Sequence, residues 1–202
     1  MPLSQLTMGV ASQLPAVEQA FRTGEGVPYA NYGHDMCVGQ AGMNRNLFLQ
    51  ELGTEYLAQI PDLHARLSSS APARIADIGC GVGWSAIGMA RAYPNVRVDG
   101  YDLDEESVRE ARRLIQASGL ADRVQVHLRD AAEMHLSGHY DLVTAFECVH
   151  DMSNPVGAIS TMRDLAGETG TVIIMDERVA EAFDPGAGDV ERLMYGFSVL
   201  HC

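Results

Sequence analysis

ADIGCGVGWS, residues 76–85, joins a short apolar run to a helical pattern. Its glycines stand at positions 79, 81 and 83, and a turn of bare backbone lets N–H groups face a ligand closely. A dinucleotide-binding loop, G-x-G-x-x-G, needs its third glycine at position 84, which Trp84 occupies. The spacing therefore disfavours a pyrophosphate, and with it a nicotinamide dehydrogenase, and favours a nucleoside ligand without phosphate.

Short apolar runs alternate with helical patterns after residue 70. Strands are predicted at Arg74–Ile78, Val96–Tyr101, Val124–Leu128, Tyr140–Phe146 and Thr171–Met175, and helices at Trp84–Tyr93, Asp104–Ser118 and Pro155–Ala166. Such alternation is typical of parallel strands joined by right-handed crossovers. We therefore predict an α/β fold with a doubly wound, Rossmann-like parallel sheet in the order 3-2-1-4-5.

The first 70 residues are interpreted as an N-terminal helical or lid segment, and residues 71–202 as the α/β domain. Residues 24–42 are rich in Gly, Tyr and Pro, which predicts an irregular segment. Apolar residues then recur at helical spacing from Leu47 until Pro61. Residues 190–200 also show a helical pattern.

Two acidic residues follow predicted strands at the edge where such sheets bind ligands. Asp102 ends the second strand and is placed to accept both hydroxyls of a ribose. Asp130 follows the third strand and can accept from an adenine amino group, while Ala131 leaves space for the ring. Each feature alone is also explained by a tight turn or a helix cap. Their order and spacing together favour a nucleoside site.

Charge excludes several classes of function. The chain has 202 residues and a formal net charge of -13, and all 14 of its basic residues are arginine. The absence of lysine excludes Schiff-base lysine catalysis and a P-loop phosphate lysine. Without a basic stripe, so acidic a chain is repelled by phosphate backbones and anionic membranes. We therefore expect neither nucleic acid nor membrane as a partner.

Cysteine spacing and hydropathy indicate the compartment. Four widely separated cysteines, at 37, 80, 148 and 202, form no C-x-x-C pair, so a reducing compartment is expected. The N-terminus has no basic stretch typical of a signal peptide, and no apolar run is long enough to cross a membrane. We expect a cytoplasmic protein.

Four segments together carry a family resemblance. DIGCGVGWS, VDGYDLDEESV, VQVHLRDAAE and YDLVTAFECVHD resemble the successive motifs of class I S-adenosylmethionine-dependent methyltransferases, over residues 74–176. The resemblance implies S-adenosyl-L-methionine as cofactor, S-adenosyl-L-homocysteine as product, and a set of cofactor contacts. These are Asp77, Gly79, Cys80, Gly81 and Gly83 at the methionine part, Asp102 at the ribose, Leu103, Asp130 and Ala131 at the adenine, and Phe146 and Glu147 at the sulfonium. GVPYANYGHDM, MDERV and ERLMYGFSVLHC are similar to a bacterial small-molecule subgroup with an N-terminal winged-helix domain, here largely absent.

Methyl transfer always needs the acceptor to be aligned with the methyl group. It needs a general base only where the acceptor must lose a proton. His150 is the candidate base because its pKa suits neutral pH, with Glu147 or Asp151 to orient it; a loop-capping histidine is the alternative. Asp176 and Glu177 either bind substrate or cap the next segment. No metal is expected, because Asp151, Asn154 and Asp176 would all have to converge.

Aromatic residues of the N-terminal segment are candidates for a lid. Tyr29, Tyr32 and His34 either close over the cofactor or pack the preceding helix on the sheet. The apolar positions at 193, 194, 197 and 200 are expected in the core or facing a partner.

The C-terminal part departs from the family pattern, which adds an antiparallel hairpin beside strand five. Only 27 residues follow Met175, and they show a helical pattern, so the hairpin is expected to be missing and the domain C-terminally incomplete. Strand five would then be an apolar edge, which natural proteins rarely leave open. We expect a homodimer that covers this edge.

Two functions follow as hypotheses. The first is a methyltransferase that acts on a small organic molecule. The alternative is a non-catalytic module that binds S-adenosylmethionine, or a partner, with the same fold.

Overall fold

A computed structural model describes residues 2–134 and 139–201. Its sheet has five parallel strands in the order β3-β2-β1-β4-β5, which confirms the predicted α/β architecture. The strands are β1 (Ala73–Ile78), β2 (Val96–Asp102), β3 (Val124–Leu128), β4 (Leu142–Phe146) and β5 (Thr171–Met175). All five carboxyl ends therefore meet at one edge, where both acidic motifs lie.

Helices cover both faces of the sheet. The N-terminal helices are α1 (Pro2–Ser12), α2 (Leu14–Thr23), α3 (Gly33–Asn46) and α4 (Pro61–Ser68), and those after β1 are α5 (Trp84–Ala92), α6 (Glu105–Ala117), α7 (Pro155–Ala166) and α8 (Asp189–Leu200). Ile87 of α5 and Ile115 of α6 pack in one core, and Met162 of α7 packs in a second core on the other face. None of the helices in the described ranges is long and apolar enough to cross a membrane.

Local sequence sets the ends of α6. Asp104 Oδ2 accepts a hydrogen bond of 2.8 Å from the N–H of Ser107, so the side chain caps the helix. Gly119 follows the helix with a φ of 67°, a conformation that glycine adopts without strain. The capping aspartate and the terminating glycine are both recognisable from the sequence. This explains why the helix is predicted within one residue at each end.

The prediction of an irregular segment over residues 24–42 is wrong. The structure has a 3₁₀ turn at Tyr29–Tyr32 and then α3. A Cβ at Gly39 would overlap the backbone of Leu6, so this glycine lets α1 and α3 approach closely instead of breaking the helix. The chain continues from α3 into a π-helical stretch, Leu47–Tyr56, where regular helical spacing was expected.

The predicted C-terminal helix is confirmed as α8, and its packing places it beside the N-terminal segment. Phe197 and Leu200 pack against a small core that includes Tyr32 and Met36. β5 is the outermost strand of the sheet, and its Ile174 is 42% exposed.

Candidate cofactor and active site

The turn after β1 holds its shape through three glycines with left-handed backbone. Gly79, Gly81 and Gly83 have φ values of 63°, 51° and 83°, which L-residues adopt only with strain. The N–H groups of Gly79 and Cys80 donate to the carbonyl of Tyr101 on β2, at 2.8 and 3.2 Å. The loop is therefore tied to the neighbouring strand by its own backbone.

The same glycines differ in what surrounds them. A Cβ at Gly79 would lie 2.7 Å from Cys148 Sγ, so this position is filled by protein. A Cβ at Gly81 would meet no atom within 4 Å. Gly81 thus presents bare backbone to open space at the carboxyl edge of the sheet, which is the cradle that a ligand needs.

Asp102 is fixed at the end of β2 by backbone donors. Its Oδ2 accepts from the N–H of Gly81 at 2.8 Å, and its Oδ1 accepts from the N–H of Asp104 at 2.9 Å. Burial raises the pKa of Asp102, and these two N–H donors oppose the rise. Each oxygen keeps a second lone pair, so the carboxylate can still accept two hydroxyl groups.

Asp77 supports the loop from inside the protein. It is 1% exposed, and its oxygens accept from Ser85 Oγ at 2.5 Å and Thr144 Oγ1 at 2.7 Å. Burial raises the pKa of Asp77 to about 6, although both hydrogen bonds oppose the rise. The side chain joins β1, β4 and the start of α5 in the structure, whereas the resemblance implies a contact with the methionine part.

The predicted adenine contacts lie around the end of β3. Asp130 Oδ1 accepts from the N–H of Ala132 at 2.8 Å, and so caps a 3₁₀ turn. Ala131 is buried, whereas Leu103 on the neighbouring loop is 66% exposed. Cys80 is buried in the glycine loop, where a Cβ at Gly100 would lie 2.8 Å from its Sγ. The end of β3 that leads to Asp130 lies beside Asp102, because Leu128 pairs with Asp102 in the parallel register of β2 and β3.

The end of β4 combines a buried aromatic ring, Phe146, with a residue of strained backbone, Glu147. Phe146 is buried against Phe48, with ring centroids 5.6 Å apart. Glu147 has a φ of 55°, which is rare outside glycine, and its N–H donates to the carbonyl of Met175 at 2.7 Å. Asn44 Nδ2 of α3 donates to Glu147 Oε2 at 3.4 Å. An N-terminal helix therefore reaches this edge of the sheet.

His150 lies among carboxylates from two loops. Its Nδ1 is 2.5 Å from Asp176 Oδ1 and 3.1 Å from Glu177 Oε2, and its Nε2 is 3.4 Å from Asp151 Oδ2. Burial lowers the pKa of His150, but the three carboxylates outweigh burial and raise it overall. Asp176, which follows β5, is thus the residue that orients His150 most closely, where Glu147 or Asp151 was expected.

The pKa values of the two acids beside His150, Asp176 and Glu177, are shifted in opposite directions. Burial, and after it a hydrogen bond with Asp176, raise the pKa of Glu177 to about 7. For Asp176, hydrogen bonds from its neighbours outweigh burial and lower the pKa. The ligand atoms of His150, Asp176 and Glu177 lie within 4.8 Å of one another, a spacing that a divalent cation would also accept. Ion pairing with the imidazole already accounts for this convergence.

The N-terminal aromatic residues separate into two environments. Tyr32 is buried and donates from its hydroxyl to the carbonyl of Leu200 at 2.7 Å, so it packs as a core residue. His34 Nδ1 lies 3.1 Å from Glu106 Oε1 on α6. Burial raises the pKa of Tyr29, and the carboxylates of Asp104 and Asp102 add to the rise. Tyr29 is therefore the member of this group whose pKa responds to the charge of Asp102.

Sequence reasoning missed two residues around the site. The ring centroid of His201, after α8, lies 5.7 Å from that of Tyr29, and Asp151 and His150 influence its pKa, which burial lowers overall. Arg45, at the end of α3, places its Cζ 4.6 Å from the centroid of Trp84. Both contacts join distant parts of the chain, so neither has a local sequence signal.

Comparison with known proteins identifies the family. Residues 69–196 match the family model of the methyltransferase domain. Ajmaline N-methyltransferase of Rauvolfia serpentina is 30% identical over 105 residues, which cover 52% of this chain and 36% of that protein. The tRNA1(Val) (adenine(37)-N6)-methyltransferase of Yersinia pestis is 32% identical over 149 residues, which cover 69% of this chain and 50% of that protein. The chain thus spans half the length, or less, of these curated relatives.

Solved structures agree on the fold. A putative O-methyltransferase of Nostoc punctiforme superposes with a TM-score of 0.63 at 17% identity, over 86% of this chain and 51% of the other. The glycine loop, the acidic residue ending β2 and the strand order are present together in one chain. The chain belongs to the class I S-adenosylmethionine-dependent methyltransferase family.

Proposed function

We propose that this chain binds S-adenosylmethionine across the Gly79–Gly83 loop and transfers its methyl group to a small organic molecule. The observation that carries the proposal is the pairing of Gly81 with Asp102 at 2.8 Å, beside a position where a Cβ would meet nothing within 4 Å. A bare cradle next to a fixed carboxylate fits a nucleoside whose ribose hydroxyls need acceptors.

When bound, the cofactor supplies an electrophilic methyl group on a sulfonium. The chain then has to align the acceptor and, where the acceptor must lose a proton, to receive that proton. His150 at the end of β4 is our candidate base, with Asp176 holding its Nδ1. Because the carboxylates raise the pKa of His150 above its ordinary value, the base form becomes dominant only when the pH rises above that raised pKa.

The charge of the chain supports a small acceptor. Carboxylates of Asp151, Asp176 and Glu177 lie within 3.4 Å of the His150 ring, and Glu147 acts on the pKa of Glu177. The whole chain has a net charge of -13. Such a surface repels the phosphates of an RNA. Of the two relatives described above, one is named for ajmaline and one for tRNA, and the charge favours the first kind of acceptor for this chain.

A two-part experiment tests the proposal. Isothermal titration calorimetry with S-adenosylmethionine measures binding, and a labelled-methyl assay follows transfer to a panel of amines, phenols and bulk tRNA. Binding with transfer to a small molecule supports the proposal, and transfer to tRNA alone contradicts the small-molecule part. Binding without transfer to any acceptor supports the alternative, a non-catalytic module with the same fold. A chain that binds no cofactor contradicts the proposal and leaves, of the alternative, only a module that binds another partner.

We also propose that residues 1–70 act as a lid and that a second copy of the chain covers β5. The Tyr29 hydroxyl contacts Gln40 Oε1 at 3.1 Å, and the charge of Asp102 contributes to the rise of the Tyr29 pKa, which supports a lid at this end of the segment. Val172 and Ile174 of the edge strand are 40% and 42% exposed, an apolar edge of the kind that proteins usually cover. Light scattering of the wild type and of Ile174→Lys tests the dimer. A monomeric wild type, or a dimer that Ile174→Lys leaves intact, contradicts it.

A further inference from the structure

A cavity of about 450 Å³ opens at the amino edge of the sheet, the edge opposite the glycine loop. It lies where β1 and β4 begin and where α7 ends, and its lining includes Arg74, Asp141 and Gly167. Arg74 is the second residue of β1, whereas the glycine loop follows Ile78, the last residue of that strand. The volume is typical of a small-molecule site. In the part of the chain that the structure describes, the residues assigned to the cofactor and the acceptor do not line this cavity.

Arg74 brings a guanidinium to the cavity in a fixed orientation. Its Nη2 donates to Asp99 Oδ2 at 2.8 Å and to the Tyr140 hydroxyl at 2.9 Å, and its Cζ lies 4.3 Å from the centroid of the Tyr140 ring. Among residues 2–134 and 139–201, Nε and Nη1 of Arg74 find no hydrogen-bond acceptor. The side chain is 46% exposed, so these N–H groups remain available to a ligand.

The other arginine of the lining is already occupied by the protein. Arg66 Nε donates to Asp141 Oδ1 at 2.7 Å, and the two Nη groups donate to the carbonyls of Ala71 and Pro72 at 3.1 and 2.9 Å. The second oxygen of Asp141 accepts from the backbone N–H of Arg74 at 2.8 Å. Arg66 and Asp141 therefore hold the wall of the cavity together, and Arg74 is the arginine that can donate to a ligand.

A carboxylate lines the same cavity. Glu168 lies in the turn after α7 and is exposed. In the described parts of the chain it pairs with no cation and accepts no hydrogen bond. Pro72, Ala166 and the ring of Tyr140 add apolar surface to the lining. The cavity therefore combines cationic donors, an anionic acceptor and apolar surface.

An amino acid carries the complementary groups. Its carboxylate accepts hydrogen bonds from a guanidinium, and its ammonium donates to a carboxylate. We propose that this cavity binds a free amino acid with an apolar side chain, its carboxylate on Arg74 and its ammonium on Glu168. A simple anion would leave Glu168 without a partner, and a simple cation would leave the donors of Arg74 unused. The site is separate from the proposed cofactor and acceptor sites and goes beyond the proposed function.

The first test compares L-leucine with two analogues that each lack one charged group. Isothermal titration calorimetry measures the binding of L-leucine, of 4-methylpentanoate without the ammonium, and of 3-methylbutylamine without the carboxylate. We expect L-leucine to bind with a dissociation constant of about 1 mM or less, and each analogue to bind about 10-fold more weakly, because each loses a hydrogen bond between charged groups. No binding of L-leucine at about 10 mM, or an analogue that binds as tightly as L-leucine, contradicts the proposal.

Two variants assign the charged groups. Arg74→Met should bind L-leucine and 3-methylbutylamine with similar affinity, because the carboxylate has lost its partner. Glu168→Gln should bind L-leucine and 4-methylpentanoate with similar affinity, because the ammonium has lost its partner. If either variant that folds keeps the wild-type preference, the residue it replaces is not a ligand contact and the proposal is wrong.

Matched controls separate these contacts from general effects of charge. Arg97→Met replaces the residue that pairs with Arg74 in the register of β1 and β2, and Asp164→Asn removes an exposed charge near the end of α7. Neither residue lines the cavity, so both variants should keep the wild-type preference. Thermal unfolding by circular dichroism shows whether each variant folds. Arg74→Met also breaks the pair with Asp99, so Glu168→Gln decides if Arg74→Met does not fold.

A competition experiment locates the site. The L-leucine titration is repeated with S-adenosylhomocysteine in excess, and the affinity should not change. Loss of L-leucine binding would place the amino acid in the cofactor site and contradict the proposal. A chain that binds L-leucine but no S-adenosylhomocysteine would contradict the proposed function and still support the amino-acid site.

Discussion

The carboxylate at the end of β2 and the carboxylates beyond β4 and β5 are held in different ways. Asp102 accepts from two backbone N–H groups, those of Gly81 and Asp104, in adjoining turns. His150 and Asp176 meet through side chains that are 26 residues apart in the chain. The cofactor side is thus held by backbone donors, and the proposed acceptor side by side chains of separate loops.

The two sides of the site also differ in backbone strain. Left-handed glycines carry the turn on the cofactor side, whereas on the acceptor side a glutamate, Glu147, adopts a φ of 55°. Backbone strain of this kind costs about 1–2 kcal/mol and persists only where surrounding contacts impose it. We therefore expect substitutions to affect stability and binding most on the cofactor side, and pH response most on the acceptor side.

Gly79→Ala should give the largest effect. A Cβ there combines a φ of 63° with a contact of 2.7 Å to Cys148 Sγ. We expect the free energy of unfolding to fall by about 2–5 kcal/mol, from strain and overpacking together. Urea denaturation measures the loss.

Gly81→Ala is the matched control, because its φ of 51° is similar but its Cβ meets nothing within 4 Å. It should cost about 1–2 kcal/mol of stability. It should nevertheless weaken binding of S-adenosylmethionine by about tenfold or more, since its methyl group enters the cradle. Equal losses of stability in the two variants would show that the loop is not packed as described.

Asp102→Ala should reduce the affinity for S-adenosylmethionine by about 1.5–3 kcal/mol, because the ribose loses a charged acceptor. Calorimetry measures the change. Asp104→Ala is the control, since Asp104 caps α6 through Ser107 and should mainly reduce stability. An unchanged affinity in Asp102→Ala would remove this carboxylate from the site.

The cofactor side could be predicted from the sequence because its motifs are local, even where its contacts are not. The glycine spacing and the cap at Asp104 lie within a few residues. Asp102 is recognised by its place at the end of a strand, although it meets Gly81, which is 21 residues away. The contacts of Arg45 with Trp84 and of Asn44 with Glu147 join segments far apart, so no local pattern encodes them.

The irregular segment predicted for residues 24–42 failed for a related reason. Gly39 allows a close contact between α1 and α3, and only the packed structure distinguishes such a glycine from one that breaks a helix. The sequence likewise offered Glu147 or Asp151 to orient His150 and missed Asp176, because Asp176 follows the neighbouring strand β5 and meets His150 only in the folded sheet.

The acceptor side should make stability fall as pH rises. The pKa of Glu177 is about 7 in the folded state, above its ordinary value of 4.5, and the pKa of His150 is raised above its ordinary 6.5. The folded state therefore binds more protons than the unfolded state, and the free energy of unfolding decreases with pH over this range. His150 stabilises fully below pH 6.5 and loses that contribution as pH rises through its folded pKa.

Urea unfolding at pH 5.5 and pH 8 measures this slope, and Glu177→Gln should reduce it. Asp77→Asn is the comparison from the cofactor side. The pKa of Asp77 is raised to about 6, so its contribution to the slope falls at lower pH than that of Glu177. A slope that Glu177→Gln leaves unchanged would mean that this carboxyl does not carry the raised pKa.

Glu147→Gly should give the smallest effect, with the opposite sign. Glycine adopts a φ of 55° freely, so the substitution relieves strain, while the freer unfolded chain offsets part of the gain. We expect the free energy of unfolding to rise by about 0.5–1 kcal/mol. Glu147→Gln keeps the strain and a polar partner for Asn44, and should show no gain in the same urea titration. A stabilised glycine variant would mean that the acceptor side keeps a glutamate at a position where glycine is more stable, which is expected when the carboxylate serves binding or catalysis. If both variants are equally destabilised, the φ of 55° carries no strain, and the contrast between the two sides of the site rests on side-chain contacts alone.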